Sequence, residues 1–406
     1  LRVMRSSLCC FTLLVVILTG CYSGQGPKEN KTEPTTNAVS PPVESPAASP
    51  AASIEPTPTL APTPTPTPAP ITHRVQLSAI GDILLHNRVY EDAKLPDGTY
   101  NFKPMFEKVK DLLEQPDILV ANQESMAGGS ELGVSSYPMF NSPHEISDAL
   151  LDVGVDLVTM ANNHTMDKKA KGILSATAYL DKIGMPYTGA FRSQEDRDRI
   201  RVIMEQGITF AFLAYTYGTN GMIVPEDQTF LVNLLEPELM KSDIEQARKL
   251  ADVVVVSPHW GIEYATLPNT AQTELAQQMA DWGVDIIIGH HPHVLQPFKW
   301  LERSEGGRTL VMYSLGNFLS AQNKMLQMLG GIGQVEVVKT VANGTTTIEL
   351  ENPTFIPTFN QYKNYANFRV IPLNRLEAKK RAEVEPHWNQ VKNQMLEYLP
   401  EIKLID

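Results

Sequence analysis

"IIIGHHPHVLQP", residues 286–297, ends a run of isoleucines in three of the chain's nine histidines within four positions. The isoleucines read as a buried strand, so the imidazoles stand where that strand leaves its sheet. A lone histidine at such an end is ordinarily structural, satisfied by a backbone carbonyl. A His-x-His pair there points instead to a metal site, because neutral imidazole is the commonest metal ligand. Other residues must decide between the two.

From Val75 onward, strand-like apolar runs alternate with amphipathic helical patterns. "VQLSAIGD", "DILVANQE", "VDLVTMANNH", "DVVVVSPHWG" and "VDIIIGHH" read as strands. "FKPMFEKVKDLLEQ", "SPHEISDALLDVG", "DKKAKGILSATAYLDKIG", "EPELMKSDIEQARKLA" and "TAQTELAQQMADWG" read as helices between them. The strands are rich in Val and Ile without a polar face, as expected where helices or a second layer cover both sides. "RIRVIMEQGITFAFLAY" reads as a hairpin turning near Gly207, and "GQVEVVKTVANGTTTIELE" as another turning at Asn343-Gly344. The fold class is α/β, with a mostly parallel sheet joined by an antiparallel one.

In such sheets, function gathers beyond the carboxyl ends of the strands. The five ends are Gly81-Asp82, Asn122-Gln123-Glu124, Asn162-Asn163-His164, His259-Trp260-Gly261 and Gly289-His290-His291-Pro292-His293. Every one finishes in a carboxylate, a carboxamide or an imidazole. Core chemistry does not explain five such endings, since each unpaired polar group costs roughly several kcal/mol to bury. Asp, Glu, Asn and His without Cys suit borderline or hard cations such as Mn, Fe, Zn or Co. Six of these residues exceed what one ion needs and point to two divalent ions, with Glu124 the natural bridging carboxylate. Such a pair clamps a tetrahedral oxyanion and activates water.

The N-terminal region belongs to a different regime. Residues 1–21 read as a secretory signal peptide: Arg2 and Arg5, the short apolar "LCCFTLLVVIL", then "LTGC". That ending resembles a bacterial lipobox, which implies cleavage before Cys21, acylation of its thiol and a lipid anchor on the outer face of the cytoplasmic membrane. Cys9, Cys10 and Cys21 are the three cysteines, so the exported part has no disulfide and no thiolate ligand. Residues 22–70 are a Pro/Thr/Ala-rich tether that cannot bury a core, with a reach on the order of 140 Å if fully extended. Residues 71–406 form the folded domain. The two signal arginines offset the tether, where Lys28 and Lys31 face Glu29, Glu33, Glu44 and Glu55, so the chain's net charge of −12 rests on that domain. An acidic body is a poor nucleic-acid binder, and any anionic substrate needs a local cationic centre.

The strand ends resemble the CapA family of bacterial poly-γ-glutamate capsule synthesis proteins. "GD" at 81, "NQE" at 122, "ANNHTMD" at 161, "HWGIEY" at 259, "GHHPHVLQP" at 289 and "YSLGNF" at 313 follow the family's order. The resemblance implies the calcineurin-like metallophosphoesterase fold, a four-layer α/β/β/α sandwich of mixed sheets with helices outside. It implies that Asp82 binds one ion, that Glu124 bridges, that Asn163 and His259 bind the other ion, and that His291 and His293 divide between the two. His164 then faces the substrate as proton donor or oxyanion stabiliser.

The match has gaps. Where generic superfamily members carry a further histidine after the first Asp, this chain has Leu84; His86, in the loop beyond, is left without an assigned role. His290 is read as a neighbour of the ligands. Asp167 either orients His164 or caps the helix that follows. Ser142, Pro143 and Glu145 read as a capping box, which leaves His144 at the surface. His73 and His387 read as solvated, Trp260 and Tyr264 as packing or pocket wall, and Asn317 as a rim residue by analogy.

The resulting expectation is an exported, lipid-anchored metal-dependent hydrolase of capsule synthesis, acting on the anionic polymer or on a phosphoester, with other capsule-synthesis membrane proteins as possible partners. Two alternatives stay open: a non-catalytic protein that binds or retains the polymer, and a surface phosphodiesterase or nucleotidase.

Overall fold

The computed structural model describes residues 69–406. The expected signal peptide, Cys21 and the tether up to residue 68 lie outside the described residues. In chain order the strands are β1 (Ile71–Ile83), β2 (Ile118–Gln123), β3 (Leu157–Thr159), β4 (Tyr187–Thr188), β5 (Arg201–Glu205), β6 (Ile208–Thr216), β7 (Val253–His259) and β8 (Ile286–Ile288). They continue with β9 (Leu295–Glu302), β10 (Arg308–Leu315), β11 (Asn317–Leu319), β12 (Leu329–Ala342), β13 (Thr345–Lys363), β14 (Ala366–Pro372) and β15 (Lys403–Leu404).

One sheet runs β14-β13-β12-β1-β2-β3-β4, with β11 beside β1 and β15 beside β13; the other runs β5-β6-β7-β8-β10-β9. In the first, β1 to β4 are parallel and β12 to β14 antiparallel. In the second, β6, β7, β8 and β10 are parallel, and β5 and β9 pair antiparallel at its two edges. Both sheets are thus mixed, as the resemblance implies, and the antiparallel strands read from the hairpins lie within them. Each short hairpin stays beside the strand it is tied to, so antiparallel strands extend both sheets and neither stands apart. The hairpins at Gly207 and at Asn343-Gly344 form as read: Gln206, Gly207, Asn343 and Gly344 all have positive φ, as a two-residue turn of this hand requires.

Alternation along the strands builds three apolar layers. Phe210 and Phe212 of β6 meet Leu77, Ile118 and Val255 between the sheets. Ala211, Leu213 and Tyr215 point the other way, onto Met240, Ile244, Ala276 and Met279 of the helices Pro237–Leu250 and Thr270–Asp281. On the far face of the first sheet, Ile80, Leu119 and Val158 pack against Val89, Ile146, Ile173 and Leu180 of three other helices. The result is the four-layer α/β/β/α sandwich, and each buried Phe, Ile or Leu contributes roughly 1.5–3 kcal/mol to it.

Two local readings change. "FKPMFEKVKDLLEQ" forms two short helices, Lys103–Phe106 and Lys110–Leu113, broken at Val109 with φ −123°. The polar C-terminal helix Ala378–Tyr398 places Val384, Trp388, Val391 and Met395 in the layer between the sheets. Their spacing of three or four residues gives a single apolar stripe on an otherwise polar helix. His387, beside Trp388, is accordingly half-buried and not solvated.

Candidate metal centre

Two glycines let the ligand-bearing strand ends come together. A Cβ on Gly81 would lie 2.0 Å from the Gly316 carbonyl oxygen, and one on Gly289 would lie 2.0 Å from that of Tyr313. Beyond Gly289 the chain turns sharply, with φ +96° at His291 and +56° at His293. Non-glycine residues adopt such angles only when their surroundings hold them there. Two backbone bonds do so: Trp260 N–H donates to the His290 carbonyl (3.1 Å) and Tyr264 N–H to that of Pro292 (2.7 Å).

Asp82, Glu124, Asn163, His259, His291 and His293 converge at this edge, all buried. Ligand atoms of Glu124, His291 and His293 lie within 4.8 Å of one another. Glu124 Oε1 is 3.5 Å from His293 Nε2 and 3.6 Å from His259 Nε2. The same His259 Nε2 lies 3.0 Å from Asn163 Oδ1. Asp82 accepts from Asn122 Nδ2 at 2.8 Å and contacts His293 Nδ1 at 3.0 Å. Asn317 Oδ1 is 3.1 Å from the same Nδ1, so Asp82 and Asn317 together orient the His293 ring. Asn317 is fully buried beneath the centre and is not a rim residue.

The electrostatics describe donors without a counter-charge. Burial pushes Glu124 well above the usual carboxylate range, and Asp82 adds to it. Burial also presses Asp82 upward, but the imidazoles of His290 and His293 outweigh it and hold Asp82 well below its ordinary value. His293, despite burial, is raised to about 9 by Glu124 and Asp82. Burial, then the neighbouring His293, lowers His291 to about 3; burial, then His291, puts His259 well below its ordinary value. Both Glu124 oxygens and Nδ1 of His259 and His291 have no hydrogen-bond partner. Each orphaned buried polar atom costs about 1–3 kcal/mol. A divalent cation would satisfy the Glu124 oxygens and be met by His259 through its Nε2, and the nitrogen and oxygen donor set suits one. The residues fit divalent metal binding.

His164 sits beside this cluster. Its Nδ1 is 2.8 Å from Asp167 Oδ2, and that oxygen also accepts from the Phe140 N–H at 2.7 Å. The following helix begins at Lys169, so Asp167 holds His164 and does not cap. Phe140 packs edge-on against the His164 ring at 4.6 Å.

The remaining histidines sort themselves. His290 Nδ1 lies 3.4 Å from Asp82 Oδ1, and neither of its nitrogens makes a hydrogen bond. His86 packs edge-on to Phe140 at 5.4 Å, which puts it in the wall near His164. His144 is not at the open surface: it is half-buried and stacks on Tyr179 at 4.2 Å. Nor does the capping box form there, because the helix starts at Glu145 and Ser142 Oγ donates to Ser125 Oγ. Trp260 is packing, its indole N–H donating to the Tyr313 carbonyl.

Sequence reasoning missed Tyr217 and Asn220. Tyr217 lies 4.8 Å from the His291 ring, and Asn220 Oδ1 accepts from Asn163 Nδ2 at 3.4 Å. Both follow β6, which is parallel to β7 and ends at the same edge. The rule applied to the other five strand ends would have found them.

The motifs and the geometry now meet the relatives. Residues 76–322, more than half of the chain, match the model of the bacterial capsule synthesis protein PGA_cap. The chain belongs to this family. It is 36% identical over 202 residues to the "PGA biosynthesis protein CapA" of Bacillus subtilis (strain 168), covering 50% of this chain and 51% of that one. It is 29% identical over 260 residues to the "Capsule biosynthesis protein CapA" of Bacillus anthracis, covering 61% and 60%. The matches thus span 51% and 60% of the lengths of these two relatives. Among solved structures, a 5'-nucleotidase precursor from Thermus thermophilus aligns with TM-score 0.43 at 13% identity, over 78% of this chain and 58% of that one. A putative 5'-nucleotidase from Staphylococcus aureus aligns with TM-score 0.41 at 13% identity, over 79% and 58%.

Proposed function

We propose that this chain is an exported, lipid-anchored protein of poly-γ-glutamate capsule synthesis or export, built around a centre for two divalent ions (Mn, Fe or Zn) with hydrolase chemistry. Family membership supports the capsule role. The observation that carries the centre is Glu124, a fully buried carboxylate with no hydrogen bonds, 3.5 and 3.6 Å from two imidazoles, one ending β7 and one in the loop after β8. Its Oε1 faces both His293 Nε2 and His259 Nε2, with His291 4.8 Å from the His259 ring and 5.9 Å from the His293 ring, so a bridging role suits it. Asp82 completes the His293 side.

Bound ions would supply positive charge for an anionic group and lower the pKa of water, in a body whose net charge is otherwise negative. The protein's own residues do the rest. Asp167, pinned by the Phe140 N–H, accepts the His164 Nδ1 proton and so fixes the ring's tautomer. His164 Nε2 is then the atom that gives or shares a proton with a departing or developing anionic oxygen. Phe140 restricts the ring's rotation and limits water on that side. The organised His164–Asp167 pair favours hydrolysis over simple retention of the polymer, because holding an anion needs no oriented proton donor. A phosphoester and a polymer amide or carboxylate both fit a centre of this kind.

Glu124→Ala tests the centre. Bound metal should fall from about two per chain towards one or none, read by elemental analysis of purified protein. Wild-type protein that holds no metal after refolding with Mn or Zn would overturn the reading.

A further inference from the structure

His290 is a buried imidazole with no hydrogen bond. It is 2% exposed, and both ring nitrogens lack a partner. A structural histidine at a strand end donates to a carbonyl or a carboxylate, because a buried polar group left alone is destabilising. An orphan of this kind calls for a water or an ion to complete it.

The strand sets where the ring goes. Ile286 and Ile288 of β8 face the layer between the sheets, and alternation places residue 290 on the same face. A third apolar side chain would continue that pattern, yet an imidazole stands there. The end of β7 fixes its backbone. The His290 N–H donates to the Pro258 carbonyl at 3.0 Å, and its own carbonyl accepts from Trp260 at 3.1 Å. A bridge to His259 holds the two histidines side by side. His290 is thus locked in register with the sheet, before the turn that carries His291 and His293 away.

From that place the ring meets β1. Its Nδ1 lies 3.4 Å from Asp82 Oδ1, while Asp82 Oδ2 meets His293 Nδ1 at 3.0 Å. Asp82 Oδ1 already accepts from Asn122 at 2.8 Å, so the carboxylate does not depend on His290 as a donor. Two donors held by one tetrahedral ion at about 2.1 Å stand about 3.4 Å apart. The Asp82–His290 contact has that length, and the contacts of Glu124 with His293 and His259 come close to it at 3.5 and 3.6 Å.

We propose that His290 is a further metal ligand, which binds through Nδ1 the ion that Asp82 holds. This rests on the centre proposed above and adds one donor to it.

The test compares metal binding by the full chain in wild type, His290→Leu and His290→Gln. Each protein is stripped with a chelator, then titrated with Co(II), followed by its visible absorption, and with Zn in competition with a chromophoric chelator. Wild type should bind about two ions. In both variants one ion should bind more than about 100-fold more weakly and the other should keep its affinity, whereas loss of an outer partner costs only roughly 10–100-fold. His290→Gln controls for a hydrogen bond to Asp82, since its amide can donate there but ligates Zn poorly. Metal-free His290→Leu should melt no lower than metal-free wild type, because it exchanges an orphaned polar ring for an apolar side chain of similar size. A loss below about 100-fold in either variant would overturn the assignment. So would a lower melting temperature of metal-free His290→Leu, which would make the ring structural. Wild type that binds no metal would instead sink the centre itself, and this ligand with it.

Discussion

At the centre, two histidines with similar burial have different work. His291 is a donor among donors, within 4.8 Å of the ligand atoms of Glu124 and His293. His164 is tied to Asp167 and takes no part in that cluster. His164→Ala should therefore keep metal and fold but lose roughly 10²–10⁴-fold in turnover of a generic phosphodiester. His291→Ala should lose metal as well as turnover. Metal analysis and kinetics on the same preparations separate the two. Capsule assembly that survives His164→Ala but not His291→Ala would make catalysis unnecessary and favour a binding protein. Asp167 was an ambiguous residue in sequence, because orienting an imidazole and capping a helix both call for Asp at that place. A helix start at Lys169 decided it.

At the scale of elements, close backbone approach carries the site. Gly289 lets β8 pass the end of β10, where a Cβ would meet the Tyr313 carbonyl oxygen. Gly289→Ala should cost about 1–3 kcal/mol of stability through overpacking and weaken metal retention, both measurable by thermal unfolding with and without added Mn. A second element-scale feature is the ion-pair knot at Asp196. Its carboxylate is buried, accepts from the Tyr187 hydroxyl and pairs with Arg201 at 2.6 Å, tying the Gln194–Asp198 helix to β4 and β5. Burial pushes Asp196 up, but Arg201 and the hydrogen bonds outweigh it and hold its pKa below the ordinary value. A depressed folded-state pKa means the contribution is present above the unfolded value, about 4, and is lost as pH falls through the folded value. Wild type should thus melt higher than Asp196→Asn near neutrality, with the gap closing in acid. A constant gap between pH 7 and pH 3 would refute the linkage.

For the whole molecule, charge decides how an anion can be drawn in. The acidic body makes the centre its one proposed means of drawing in an anion. Turnover or polymer binding that needs metal should therefore fail after chelation. At the other end of the chain, the "LTGC" stretch makes Cys21 the proposed lipid site. Cys21→Ser should shift the protein from the membrane fraction to the medium, or leave it unprocessed. Fractionation showing unchanged membrane partitioning and processing would remove the anchor from the proposal. Among the described residues, no helix is long and apolar enough to cross a membrane.

The alternation of Val/Ile strands with amphipathic helices determined the α/β class, because side-chain burial imposes its period on sequence locally. It also placed Asp82, Glu124, Asn163, His164, His259, His291 and His293 at strand ends, since parallel strands deliver their carboxyl ends to one edge. The hairpin turns at Gly207 and Asn343-Gly344 were legible for the same reason: their φ angles are demands on single residues. What lay beyond the sequence was decided over long separations. Antiparallel strands joined both sheets because pairing depends on which edges are free once the chain has folded. The stripe of Val384, Trp388, Val391 and Met395 found its partner between the sheets, a surface that exists only after both sheets form. His86 and Phe140 became neighbours of His164 through loops far apart in the chain. No local pattern encodes that meeting, because the distance between two loop tips is set by the packing of everything beneath them.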